Sequence, residues 1–100
     1  MVAVKVKFFG AVRGLTDGPA TVVELNEDAT MTDLLTELNR RYGKPFHDRV
    51  LSDTQGLKGH VKLFLNGEEV DSRKLAATKV SVAGEPAETV VYVVPSTAGG

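Results

Sequence analysis

The chain has 100 residues, 42% of them hydrophobic, and no cysteine. That is enough for one domain with its own core, and it excludes disulfides, thiolate metal sites and thiol nucleophiles. Its 12 basic and 13 acidic side chains nearly cancel and are interspersed, so it has no basic stripe of the kind that neutralises nucleic-acid phosphates.

Lysines interrupt the apolar N-terminus MVAVKVKFF, unlike a signal peptide, and no apolar run approaches a membrane span. The expected setting is the cytoplasm. Val2, Val4, Val6 and Phe8 alternate with Ala3, Lys5, Lys7 and Phe9, a period of two that predicts a half-buried strand. Gly10, Gly14 and Asp17-Gly18-Pro19 punctuate a long turn, after which ATVVELN at 20–26 predicts a second strand. In DATMTDLLTELNRRYG, Met31, Leu34, Leu35, Leu38 and Tyr42 fall at offsets of three, four, seven and eleven from the first, a helical stripe. Thr30 is placed to cap this helix, Asp33 suits the positive end of its dipole, and Arg40 and Arg41 suit the negative end. Gly43 followed by Lys44-Pro45 is expected to end it.

From 46 to 59 periodicity is lost; Phe46, Val50 and Leu51 are expected to enter the core and SDTQGLKG to form a polar surface loop. In HVKLFLNGEEV at 60–70, Val61, Leu63 and Leu65 share a face, and Asn66-Gly67 supplies the positive φ angles of a tight hairpin turn. DSRKLAATKVSVAGEPAE reads as irregular, anchored by Leu75, Val80 and Val82. TVVYVV at 89–94 is apolar on both faces, as in a central strand covered on both sides or one whose second face meets a partner. The order is β-β-α-β-β-β, with no internal repeat.

KVKFFGAVRGLTDG, the ATMTDLLTELNRRYG helix, HVKLFLNGEEV and a last strand followed by Pro95 and Ala98-Gly99-Gly100 occur in one order over nearly the whole chain. In this the chain resembles the sulfur-carrier family that includes the small subunit of molybdopterin synthase and the thiamine sulfur carrier ThiS. The stretch FHDRVLSDTQGLKGHVKLFLNGEEV is similar to longer members, among them the small archaeal modifier proteins and the bacterial carrier of cysteine synthesis. It departs from them in AGEPAET, where relatives have a Gly-Asp turn, and in Pro95-Ser96-Thr97, where they have Pro-Pro-Val. The resemblance implies an α+β, β-grasp (ubiquitin-like) fold: a mixed sheet packed on one main helix over residues 1–95, with 96–100 as a flexible tail. It supplies the strand order, which periodicity does not.

The resemblance also implies chemistry at the terminus. An E1-like enzyme adenylates the terminal carboxylate with ATP, and a sulfur donor converts the acyl-adenylate to a thiocarboxylate. The reacting group here is then the α-carboxylate of Gly100, ionised at neutral pH. Gly99 and Gly100 make a thin, adaptable end, Ala98 keeps it slim, and Pro95 marks where the chain leaves the sheet. The chain itself binds no cofactor or metal in this reading and is not an enzyme but the substrate of one. Its partners are the E1-like enzyme and either a sulfur-accepting synthase subunit or target-protein lysines, with no nucleic acid and no membrane.

Phe9 and Tyr92 either line a partner-binding face beside the tail or belong to the core. His47 and His60 have no carboxylate or second histidine at a motif spacing and read as ordinary surface or loop residues. Glu68, Glu69 and Asp71 suit either a solvated hairpin or a basic patch on a partner. Two functions share the adenylation step: a sulfur carrier for molybdopterin, thiamine, cysteine or a thiolated nucleotide, and a protein modifier joined through Gly100 to lysine amines. An interaction module without terminal chemistry is the third reading.

Overall fold

The computed structural model describes residues 2–10, 12–16, 18–50, 61–71, 73–81 and 87–93. The strands are β1 (Val2–Gly10), β2 (Ala20–Leu25), β3 (Val61–Leu65), β4 (Glu68–Glu69) and β5 (Glu88–Val93); the helices are α1 (Met31–Tyr42) and α2 (Lys44–Val50). They form one five-stranded sheet in the order β2-β1-β5-β3-β4. β1 and β5 run parallel at its centre, while β1–β2, β3–β5 and β3–β4 are antiparallel. This is the mixed sheet of the β-grasp fold.

The alternation in β1 sorts its residues between the two faces. Val4, Val6 and Phe8 are fully buried, whereas Lys5 and Phe9 are exposed. Thr89, Val91 and Val93 of β5 and Val61 and Leu63 of β3 face the same core. Onto them α1 lays Met31, Leu34, Leu35 and Leu38, the stripe expected from its period, with Tyr42 partly buried at its end. The helix starts in a capping box: Asp33 N–H donates to Thr30 Oγ1 and Thr30 N–H donates to Asp33 Oδ2 at 2.9 Å. It ends at Gly43, whose N–H donates to the Asn39 carbonyl at 2.8 Å.

Lys44-Pro45 does more than follow this stop. A second helix, α2, begins there, because a proline in the first helical turn gives up no intrahelical hydrogen bond. Phe46 and Val50, one turn apart, are its fully buried residues, so the stretch from residue 46, where periodicity is lost, begins inside a helix. Phe46 joins Phe8 and Tyr42 in an aromatic cluster with ring centroids 5.6–6.2 Å apart, a spacing at which edge-to-face packing is favourable. Leu51, the 52–59 loop and Val82 lie outside the described residues; Leu75 and Val80 are buried as expected.

The Asn66-Gly67 turn has φ of 50° and 90°, and it joins Leu65 to its partner Glu68 in a two-residue hairpin. Asn66 also anchors the start of the last strand: its N–H donates to the Glu88 carbonyl at 2.8 Å, and its Oδ1 accepts from Glu88 N–H at 3.1 Å.

Among the described residues, Thr89 Oγ1 is one of four buried side-chain polar atoms without a hydrogen-bond partner, with Asn39 Oδ1, Tyr42 OH and Asn66 Nδ2. Thr89 is fully buried and its hydroxyl has no hydrogen-bond partner among the described residues, which costs desolvation with no return. Thr89→Val is expected to raise stability by about 1–2 kcal/mol, a gain that the β preference of valine reinforces. An upward shift of the denaturant midpoint at constant slope is the expected reading; a downward shift would mean that the hydroxyl is satisfied in solution.

Candidate functional site

Because β1 and β5 run parallel, their C-terminal ends lie at the same end of the sheet. The chain enters residues 94–100 from that end. Pro95, Ala98, Gly99 and Gly100, and with them the boundary at 95/96, lie outside the described residues. Phe9 and Tyr92 lie within them and are brought together. They are register partners across the β1–β5 ladder, on the sheet face opposite α1, 43% and 37% exposed. Neither is a core residue. Their neighbours along the strands, Phe8 and Val91, are also register partners and are fully buried on the α1 face, with Phe46 and Tyr42 packed on Phe8.

The register extends this face beyond the two aromatics. Tyr92 stands opposite Lys62, Val90 opposite both Lys7 and Phe64, and Lys5 opposite both Val22 and Glu88. Phe64 and Val90 are half-buried, and Val22 is 56% exposed. The apolar surface is thus a patch of Phe9, Tyr92, Val90 and Phe64, with Val22 set apart beyond Lys5. Sequence reading missed Val22, Val90 and Phe64, because a run of consecutive apolar residues such as VVYVV does not say which face stays uncovered. The alternation of Lys62 with the buried Val61 and Leu63 was the signal for Phe64.

Ion pairs edge the patch. Lys7 Nζ lies 3.5 Å from Glu88 and Lys62 Nζ 3.6 Å from Glu69, and all four side chains are at least a third exposed, so neither pair adds much stability. Lys5 has no ion pair among the described residues. Among the described residues no three His, Cys, Asp or Glu side chains gather as a metal site. His47 is an exposed residue of α2 with Nδ1 3.4 Å from its neighbour Asp48; His60 lies outside the described residues. Glu68, Glu69 and Asp71 are exposed, which both readings of them require, and Asp71 accepts from Arg73 N–H, which holds its carboxyl below the ordinary carboxylate range. No described helix is long and apolar enough to cross a membrane.

Neither a protein-family model nor a curated protein sequence matches the chain. Solved structures do. Small archaeal modifier protein 1 (SAMP1) of Haloferax volcanii superposes with a TM-score of 0.75 at 24% identity, over 95% of this chain and 98% of that one. Molybdopterin converting factor subunit 1 of Pyrococcus furiosus gives 0.66 at 27% identity, over 97% and 100%. Urm1 of Trypanosoma brucei gives 0.70 at 16% identity, over 98% and 95%. The described part of the chain therefore has the ubiquitin-like, β-grasp fold that these structures share.

Proposed function

We propose that this ubiquitin-like chain is a sulfur carrier whose Gly100 carboxylate is adenylated by an E1-like enzyme and converted to a thiocarboxylate. The observation that carries this reading is the full-length likeness to molybdopterin converting factor subunit 1 in a chain whose last residues are Gly99 and Gly100. A carboxylate oxygen of Gly100 attacks the α-phosphorus of ATP and pyrophosphate leaves. Sulfide-level sulfur (HS⁻) from a donor then attacks the acyl carbon and AMP leaves, which gives the thiocarboxylate and places the transferable atom at the end of the chain. The acceptor is a synthase that builds molybdopterin or thiamine, or one that makes cysteine. The likeness to small archaeal modifier protein 1 supports a second use of the same adenylate, in which a lysine amine attacks the acyl carbon, AMP leaves and the amine gives up a proton to solvent, forming an isopeptide bond. Mass spectrometry separates the two uses. An oxygen-to-sulfur exchange at the terminus of the protein isolated from its own cells is expected for carrying, and Gly-Gly remnants on lysines of other proteins for conjugation. A terminus bearing neither, in cells that contain the activating enzyme, would count against both.

The partner holds the body through the Phe9–Tyr92 face in this proposal, with Pro95 and Ala98 contacting its groove. A docked body raises the effective concentration of Gly100 at the catalytic centre, while ordering the tail costs roughly 1–2 kcal/mol per residue, which main-chain hydrogen bonds in the groove offset. Phe9→Asp and Tyr92→Asp are each expected to weaken binding to the activating enzyme by about tenfold or more, as loss of an interface aromatic does. Because both side chains stand on the open face, thermal unfolding is expected to change little. Normal affinity in both folded variants would move docking to another surface.

A further inference from the structure

The two edges of the sheet are β2 and β4. An edge strand presents unpaired N–H and C=O groups with which another chain can pair. β4 is closed to this by its make-up, being two residues long with both of them exposed glutamates. β2 has six residues, Ala20–Leu25, and a single charge, Glu24. Its threonine and valines suit pairing.

The rungs show which groups of β2 face outward. Phe8 N–H donates to the Pro19 carbonyl at 2.8 Å, and Lys5 N–H turns the other way, to the Ala87 carbonyl at 2.9 Å. Bonded and non-bonded rungs alternate in an antiparallel pair. Val6–Thr21 and Val4–Val23 are therefore bonded rungs, and the backbone N–H and C=O groups of Ala20, Val22 and Glu24 point away from β1. Val22 is the middle one of the three. Its carbonyl is taken by Arg41 of α1, whose Nη1 donates to it at 3.2 Å and to Thr21 Oγ1 at 2.9 Å. Arg41 is held in place: its side chain is only 30% exposed, and Glu37, one turn back, lies 3.9 Å from Nη2.

We propose that Arg41 guards the β2 edge, and that the occupant it turns away is a second copy of this chain. A two-fold axis through Val22 would set Val22 against its own copy and Ala20 against Glu24, so that every outward group of those three residues finds a partner and no two glutamates meet. The exposed Val22 side chains would pack together on the open face. In the intact chain the central rung is blocked twice. The guanidinium holds the Val22 carbonyl, and pairing would bring two Arg41 charges to the same rung. Nothing in this depends on the chemistry at Gly100.

The test is sedimentation equilibrium with thermal unfolding of each variant. The intact chain is expected to stay monomeric up to about 1 mM, as is Arg40→Ala, whose guanidinium bonds Glu37. Arg41→Ala is expected to dimerise with a Kd of about 100 µM or less, at least tenfold below that limit, and to protect the Val22 and Glu24 amides from hydrogen exchange. Adding Val22→Lys to Arg41→Ala is expected to restore the monomer, because lysine on an edge strand opposes pairing. Adding Phe9→Asp is expected to leave the dimer intact. An Arg41→Ala chain that is monomeric at the highest concentration overturns the inference, and so does an intact chain that dimerises as tightly. A dimer that survives Val22→Lys, or is lost with Phe9→Asp, places the contact on another surface and also overturns it. Loss of cooperative unfolding in Arg41→Ala would show that Arg41 holds α1 on the sheet instead of guarding its edge.

Discussion

A chain lacking Gly99 and Gly100 is expected to unfold at the same denaturant midpoint as the intact chain and to be adenylated at no detectable rate. The reason for the first half is that the core of the described fold ends with Val93, the last buried residue of β5, and glycine brings no side chain to bury. The second half follows from the proposed chemistry. Truncation moves the carboxylate two residues back and places the Cβ of Ala98 beside it, so a docked body no longer delivers the reacting carbon to the nucleotide. Circular dichroism under denaturant and ATP–pyrophosphate exchange check the two halves separately. A lowered midpoint would show that the terminus packs on the domain. Retained exchange would place the reacting carboxyl group elsewhere.

Leu38→Ala is expected to destabilise the domain by about 2–5 kcal/mol. Leu38 is fully buried on the core-facing stripe of α1, one turn after Leu34 and Leu35, so truncation removes its transfer free energy and leaves a cavity. A small domain has only about 5–15 kcal/mol in total, so the variant is expected to unfold at markedly lower denaturant. Thr32→Ala, on the exposed side of the same helix, is the control and is expected to stay within about 0.5 kcal/mol. Similar midpoints for the two variants would show that the stripe does not carry the docking of α1.

Much of this fold is written in local pattern. The two-residue alternation of Val4, Val6 and Phe8 and the stripe from Met31 to Leu38 are properties of a single element's own backbone period, and each names its buried face without reference to the rest of the chain. The capping box at Thr30 and Asp33 and the positive φ angles of Asn66 and Gly67 are likewise settled within four residues.

Other features depend on contacts that no local period encodes. Helix α2 offers only Phe46 and Val50 as a repeat, too short to stand out, and it is held by the aromatic packing of Phe46 on Phe8 and Tyr42. VVYVV is equally apolar in both directions, so whether Tyr92 is covered was decided when α1 took one face of the sheet and left the other open. The pairing of β1 with β5 joins opposite ends of the chain, and it alone places Phe9 beside Tyr92. Local backbone geometry chose the elements and their buried sides; competition of those sides for a single core chose which strands became neighbours, and with them the surface beside the root of the tail.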